Sequence, residues 1–314
     1  MAEIFGPVAS RRLGLSLGIN HLPPKTCTYS CVYCQLGKTG SLTVQRDAYS
    51  HPDEIYENVN KRLEEMDRQE RKPDAITFVT NGEPTLDKNI GNAIRILKDF
   101  HIPVAVITNA SLLWQEEARE DLCDADIVSV KIDSVSDHTW HQINRPHEKL
   151  KLHEIMHGIL AFSIKFKGRL LTETMLISGL NDDEEELVNI AGFIRDINPQ
   201  TAYLALPLRP PAEKTTRPPD EKQITAAYHF FKQKIDHVEI MAELPTSSFS
   251  EEEDAIQKLL EILRVHPLEM SEVQDFLLIN GINPAELTRL REEGKVRAES
   301  VSGKYYLTRS YPPQ

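Results

Sequence analysis

The sequence lacks an apolar run of the roughly twenty residues that a helix needs to cross a bilayer, so no membrane span is expected. Its first residues, MAEIFGPVASRR, lack a basic segment followed by an apolar stretch, so no secretory signal is expected either. Cysteine is scarce. The chain has four in 314 residues, three of them crowded into one loop, which excludes a disulfide framework. A surplus of positive charge is also missing. The formal net charge of −12 argues against broad, non-specific binding to nucleic acid or to an anionic membrane. What remains is the composition of an ordinary globular protein, long enough for one barrel-sized domain and a small one.

The stretch Lys25–Gly40, KTCTYSCVYCQLGKTG, concentrates what the rest of the chain is short of. Cys27, Cys31 and Cys34 form a C-x3-C-x2-C array. Three thiolates so close together can hold three irons of a [4Fe–4S] cluster, which normally takes four cysteines, and the fourth iron is left open to a substrate or cofactor. Tyr33, just before the last cysteine, can pack flat against a ligand there. A zinc knuckle would need four ligands on paired C-x2–4-C arms, and a nearby second arm is missing. An oxygen-sensitive cluster is consistent with a reducing, cytoplasmic location.

Apolar strands alternate with amphipathic helices through the next part of the chain. Strands are expected at Gly14–Asn20, Ile76–Thr80, Val104–Thr108, Ile127–Asp133, Leu171–Ile177 and Ala202–Leu208. Helices are expected at Asp53–Gln69, Asn89–Phe100, Gln115–Leu122, Val135–Asn144, Leu150–Phe166, Asp183–Ile197 and Pro219–Lys234. The pattern predicts an α/β fold with a parallel sheet, an open or partial (β/α)6 barrel with its chemistry at the carboxyl ends of the strands. Those ends carry Thr80-Asn81-Gly82-Glu83-Pro84-Thr85, then Asn109, then Lys131, Asp133 and Ser134. Gly82 would let a ligand approach the backbone, and Glu83 could accept from an ammonium. Lys131 could anchor a carboxylate or form an imine with substrate, or simply pair with Asp133. The H-E-x-x-H at His153–His157 has no obvious third ligand and reads as coincidence. Asn181 looks like the N-cap of the acidic helix start Asp182–Glu186.

The cysteine spacing, with its aromatic, resembles the radical S-adenosylmethionine (SAM) superfamily. Gly82-Glu83-Pro84 looks like that superfamily's GGEP motif, with Asn81 in place of the first glycine. Within it, SRRLGLSLGIN, CVYCQLGKT, GEPTL and INRPH are most similar to the wyosine-synthase-like branch, which includes enzymes that build a tricyclic base on tRNA. The further cysteines with which those tRNA enzymes hold a second cluster are reduced here to Cys123. The resemblance covers Gly6 to about Leu208. It implies a [4Fe–4S] cluster on Cys27, Cys31 and Cys34, with SAM on its open iron. It further implies SAM contacts from Tyr33, Gly82, Glu83 and Pro84. Asn109, Asp133 or Ser134 would bind the ribose or the carboxylate, and Pro207 and Leu208 would border the adenine. The implied reaction is one-electron cleavage of SAM to methionine and a 5′-deoxyadenosyl radical, which abstracts hydrogen from a substrate: a small molecule, peptide or RNA. The implied electron donor is a protein such as flavodoxin or ferredoxin. Modification of a tRNA base is an alternative reading of the reaction.

Beyond Leu244 the pattern changes. Pro245–Ser248 reads as a linker that divides a domain at 1–245 from a second at 246–314. Capping boxes are expected at Ser250/Glu253, Ser271/Gln274 and Asn283/Glu286, followed by a hairpin around Gly303. Three helices and a hairpin resemble a winged helix. Its third helix offers Arg289 and Arg291 among Glu286, Glu292 and Glu293, so docking or substrate presentation is expected rather than sequence-specific DNA binding. A rival, non-enzymatic reading is an iron–sulfur redox sensor that signals through this domain.

Overall fold

The computed structural model describes residues 2–68, 70–241, 255–265, 268–301 and 304–310. The larger part is one sheet. It begins with β1 (Glu3–Ser10) and β2 (Gly14–Asn20). A two-residue parallel pair, β3 (Thr26–Cys27) and β4 (Ser41–Leu42), then carries the start of the cysteine loop. Next come α1 (Pro52–Asp67), β5 (Ala75–Phe78), α2 (Ile90–Leu97), β6 (Val104–Thr108), α3 (Glu116–Cys123) and β7 (Ile127–Lys131). After them run α4 (Asp137–Asn144), α5 (Leu152–Lys165), β8 (Arg169–Met175), α6 (Glu184–Ile197), β9 (Thr201–Ala205), α7 (Glu221–Lys232) and β10 (Val238–Met241). The sheet order is β1-β2-β5-β6-β7-β8-β9-β10, with β1 antiparallel to β2 and every later pair parallel. This is the partial barrel that the alternation predicts, widened by β1 and β10, which the apolar pattern did not reveal.

The two-residue period of a strand sorts its side chains between two cores. Ile76, Phe78, Val104, Val106, Val128 and Val130 face the helices in the large outer core. Their alternates Ala75, Ala105, Ile127, Leu171 and Tyr203 form a separate cluster on the other face. The helices cover the outer face with apolar stripes. In α2 the buried side chains besides Gly91 are Ile90, Ala93, Ile94 and Leu97, the i, i+3, i+4, i+7 spacing. Truncating a fully buried residue such as Ile94 to Ala would cost about 2–5 kcal/mol. The cap of α6 is Asp183, which accepts from the Glu186 amide at 3.1 Å. Asn181, expected there, is instead buried, donating to the Asp133 and Met175 carbonyls and so tying the ends of β7 and β8 together.

The C-terminal part comprises α8 (Ala255–Val265), β11 (Leu268–Glu269), α9 (Met270–Ile279), α10 (Ala285–Glu292), β12 (Val296–Val301) and β13 (Lys304–Arg309). Its antiparallel sheet has the order β11-β13-β12, and Leu259, Leu263, Val273, Phe276, Leu290 and Leu307 form its own core. The capping box of α9 is Glu269 with Glu272, two residues before the expected Ser271/Gln274, because the chain turns helical directly after the short strand. Asn283 accepts from the Ala285 amide at 2.9 Å. The linker Pro245–Ser248, the Ser250/Glu253 cap and Gly303 lie outside the described residues.

Candidate active site

The cysteine loop lies across the carboxyl ends of the strands, fastened on two sides by backbone. On one side Thr26 bridges to Gly82, and the Glu83 amide donates to the Thr26 carbonyl at 3.2 Å. A Cβ on Gly82 would stand 1.5 Å from that carbonyl oxygen. Gly82 is therefore needed for the loop to seat, a role in addition to the expected approach of a ligand to its backbone. On the other side the segment Ile143–His147 braces the loop. Ser30 and Val32 donate to the Asn144 and Ile143 carbonyls at 3.0 and 2.9 Å, and the His147 amide donates to Thr28 at 2.9 Å.

Cys27, Cys31 and Cys34 are half-buried and unbridged. Two amides reach their sulfurs: Asn109 Nδ2 is 3.6 Å from Cys27 Sγ, and Asn144 Nδ2 is 3.4 Å from Cys31 Sγ. Burial pushes all three thiols up, Cys31 to about 12 with the Asp133 carboxylate as its next cause. A bound cluster offsets that cost by stabilising the thiolates it ligates. Among the described residues no three His, Cys, Asp or Glu side chains converge on a single ion.

Around the loop most polar groups are already engaged. Tyr33 donates to Asp133, which also accepts from Asn144 Nδ2 at 2.8 Å and from the Met175 amide at 2.9 Å. Glu83 is fully buried and accepts from Thr85 N and Oγ1, Thr108 Oγ1 and Asn109 N at 2.6–3.1 Å. Burial raises Glu83 despite those four bonds. Its carboxylate thus locks the tips of β5 and β6 together, and Pro84 opens the short 3-10 turn Pro84–Leu86 behind it. Asn109 Nδ2 also donates to Thr28 Oγ1 at 2.8 Å, and its Oδ1 accepts from the Ser111 amide at 2.9 Å. Ser134 bonds to Glu186 of α6 and to the Ser136 carbonyl, so it works in the helix-capping network. One buried acceptor at this rim has no partner: Asn81 Oδ1. An orphaned acceptor next in sequence to Gly82, which bridges to the cysteine loop, fits a cofactor that brings an ammonium.

Inside the barrel, Lys131 and Glu173 are register partners on β7 and β8. Their Nζ and Oε1 lie 2.6 Å apart, and Arg12 binds the same carboxylate from the β1–β2 turn. Lys131 therefore pairs with Glu173 rather than Asp133. Its Nζ stands 4.7 Å from the centre of the Tyr33 ring, a cation–π contact. Burial would raise Glu173, but Arg12 and Lys131 overcome it and take the carboxyl down to about 2. Burial would lower Lys131, but Glu173 and then Asp133 hold the ammonium above the ordinary lysine value. A protonated, ion-paired lysine is a poor nucleophile. Beside this trio lies a cavity of about 260 Å3, lined by Phe5, Thr77, Met175, Leu208, Arg209 and Gln35, the residue next to Cys34.

His153 and His157 lie exposed on one face of α5. Sequence reasoning missed Asn144, Arg12 and Glu173. INRPH signalled the first, but nothing in the linear pattern joins the other two to Lys131.

An open parallel barrel with three clustered cysteines at its rim and a charged pocket behind them defines an iron–sulfur α/β enzyme. The chain belongs to the radical SAM superfamily, whose family model matches residues 22–191. It is 39% identical over 308 residues to a UPF0026 protein of Methanocaldococcus jannaschii, covering 98% of this chain and 95% of that one. The fold is similar to the wyosine synthase TYW1 with a lysine–pyruvate adduct bound, at a TM-score of 0.53, 16% identity, and 70% and 74% of the two chains. It is also similar to SuiB of Streptococcus suis bound to S-adenosylmethionine, at a TM-score of 0.53, 12% identity, and 71% and 49% coverage. The protein is a radical SAM enzyme, and its cofactors are a [4Fe–4S] cluster and SAM. Among the described residues no helix is long and apolar enough to cross a membrane.

Proposed function

We propose that the protein cleaves SAM reductively and abstracts hydrogen from a small substrate held in the barrel cavity. The observation that carries this is adjacency: Gln35, which follows Cys34 directly, lines the cavity. When bound, the cluster and SAM supply the electron and the 5′-deoxyadenosyl radical. The chain supplies position. Cys27, Cys31 and Cys34 would hold the cluster. Asn81 Oδ1, buried and unpartnered, would accept from SAM's ammonium beside the backbone of Gly82, Glu83 and Pro84. Glu83 and Asn109 act at one remove, by fixing the strand tips and the Cys27 segment. Tyr33 keeps its ring in place through Asp133, and Leu208 on the cavity wall would border the adenine. Lys131, held protonated, would act on substrate charge rather than as an amine nucleophile. The cavity lies below the ordinary 300–1,000 Å3 range of ligand pockets, which favours a small molecule or one protruding group of a larger substrate. We assign a cytoplasmic setting and a flavodoxin- or ferredoxin-type electron donor to the same reading.

The test is product analysis. Anaerobically reconstituted, dithionite-reduced protein is expected to release 5′-deoxyadenosine and methionine from SAM, slowly even without substrate, and Cys31→Ala is expected to abolish both. If the reduced, cluster-loaded protein neither binds nor cleaves SAM, the redox-sensor reading replaces this one.

A further inference from the structure

Arg209 is one of the residues that line the barrel cavity, and its guanidinium is buried. It lies just past β9, on the carboxyl side of the strands, and is 3% exposed. Neither Nη1 nor Nη2 makes a hydrogen bond. Its ion-pair partner is Glu272 of α9, with Nη2 and Oε1 3.5 Å apart, longer than the roughly 2.7–2.9 Å of a charge-assisted hydrogen bond. Glu272 is a divided partner. Its Oε2 accepts from the Glu269 amide at 2.7 Å in the capping box that starts α9. A buried guanidinium with unmade hydrogen bonds is costly, and a ligand that completes them recovers that cost.

The charges around the cavity point the same way. Among the described residues that line the cavity, Arg11, Arg12 and Arg209 are cations and Glu173 is the one carboxylate, while Glu272 stands against Arg209. This is a local positive surplus in a chain whose net charge is −12. The rest of the wall is largely apolar, with Phe5, Met175, Leu206 and Met241, so a charge contact made there is weakly screened.

We propose that the cavity takes a small substrate bearing an oxyanion, a carboxylate or a phosphate, and that Arg209 receives it in exchange for Glu272. This rests on the reading that the cavity is the substrate site. Planar, bidentate recognition of either oxyanion is what a guanidinium is shaped for. The exchange also gives the C-terminal part a role in the reaction. Glu272 belongs to α9, so filling the cavity loosens the contact by which that helix meets the barrel.

The experiment is a thermal-shift titration of the cluster-loaded full chain, without SAM or reductant. Inorganic phosphate and acetate are the probes, and chloride holds the ionic strength constant. At least one oxyanion is expected to raise the Tm saturably in the millimolar range of a fragment-sized ligand. Which of the two does so identifies the group as phosphate or carboxylate. Arg209→Gln is expected to weaken that binding about tenfold or more, the value of hydrogen bonds to a charged group. Glu272→Gln keeps an acceptor for the α9 cap and is expected to tighten the binding, which a merely structural Glu272 would not do. If Arg209→Gln fails to fold, Glu272→Gln decides alone. Binding of neither probe by the wild type, or a Glu272→Gln variant with wild-type affinity, overturns the proposal. SAM cleavage is assayed separately on the same preparations. Cleavage without oxyanion binding overturns this inference alone, and absent cleavage overturns the functional reading beneath it.

Discussion

Asn144 donates to the Cys31 sulfur and to the Asp133 carboxylate, and Asp133 in turn holds the Tyr33 hydroxyl. One amide thus orients a thiol and the aromatic beside it. His21 is the opposite case, a buried side chain whose ring nitrogens make no hydrogen bond. Its ring meets Phe78 edge-on at 5.2 Å, and its Nε2 is 3.7 Å from Asp87, whose carboxylate already accepts from Ser50 and the Asn89 amide. Burial, only partly opposed by Asp87 and the Pro84 backbone, lowers His21 to about 4. The unfolded chain takes up this proton near pH 6.5, the folded chain only near 4. The resulting stability is complete above pH 6.5 and is lost as pH falls toward 4. Between pH 7 and pH 5 the loss is about 2 kcal/mol by linkage. Anaerobic urea unfolding of wild type and His21→Leu at both pH values should show the variant losing about that much less. Parallel losses would mean His21 is not held neutral. Of the residues at this scale, the cysteines were legible because their chemistry is local. The packing role of Gly82 was not legible, because its missing side chain makes room for Thr26, a neighbour that only the fold supplies.

Strands that are apolar on both faces announce themselves, and β6 falls on the expected Val104–Thr108 without adjustment. The two outermost strands do not. In β1 the Gly6-Pro7 pair interrupts the pattern and the register shifts between Phe5 and Val8. In β10 only Val238 is fully buried, as suits an outer strand of the sheet. The C-terminal caps were less legible: the α9 box sits two residues before the expected one, and α10 has Pro284 at its N-cap in place of an Asn283/Glu286 box. We propose that the division falls at 245/246 and that the second unit is winged-helix-like. Every residue of the large core lies at or before Ile240, and the second core starts at Ala255. A chain cut in the Pro245–Ser250 linker should therefore keep its iron and sulfide and still cleave SAM uncoupled from substrate. Loss of the cluster on truncation would show that the second unit completes the barrel. The isolated unit should bind duplex DNA weakly, because Arg289 on α10 is neutralised by Glu286 and Glu293. Tight, sequence-specific binding would make it a reading head instead.

Over the whole molecule, the acidic exterior and the cationic cavity are separate facts. The first is visible in a count of charges, the second only once β7 and β8 are in register and the β1–β2 turn brings Arg12 to Glu173. The order of strands and helices predicted the barrel, and the barrel put the cysteine loop beside that cavity. Cys27, Cys31 and Cys34 would hold a [4Fe–4S] cluster with SAM on its open iron. Electron paramagnetic resonance of the anaerobically reconstituted, dithionite-reduced protein, recorded with and without SAM, tests it most directly. The predicted result is a reduced [4Fe–4S] signal whose g values shift when SAM is added and which is absent in Cys31→Ala. A cluster signal that SAM leaves unmoved, or native protein that holds tetrahedral zinc and shows no iron–sulfur absorption, would contradict the account.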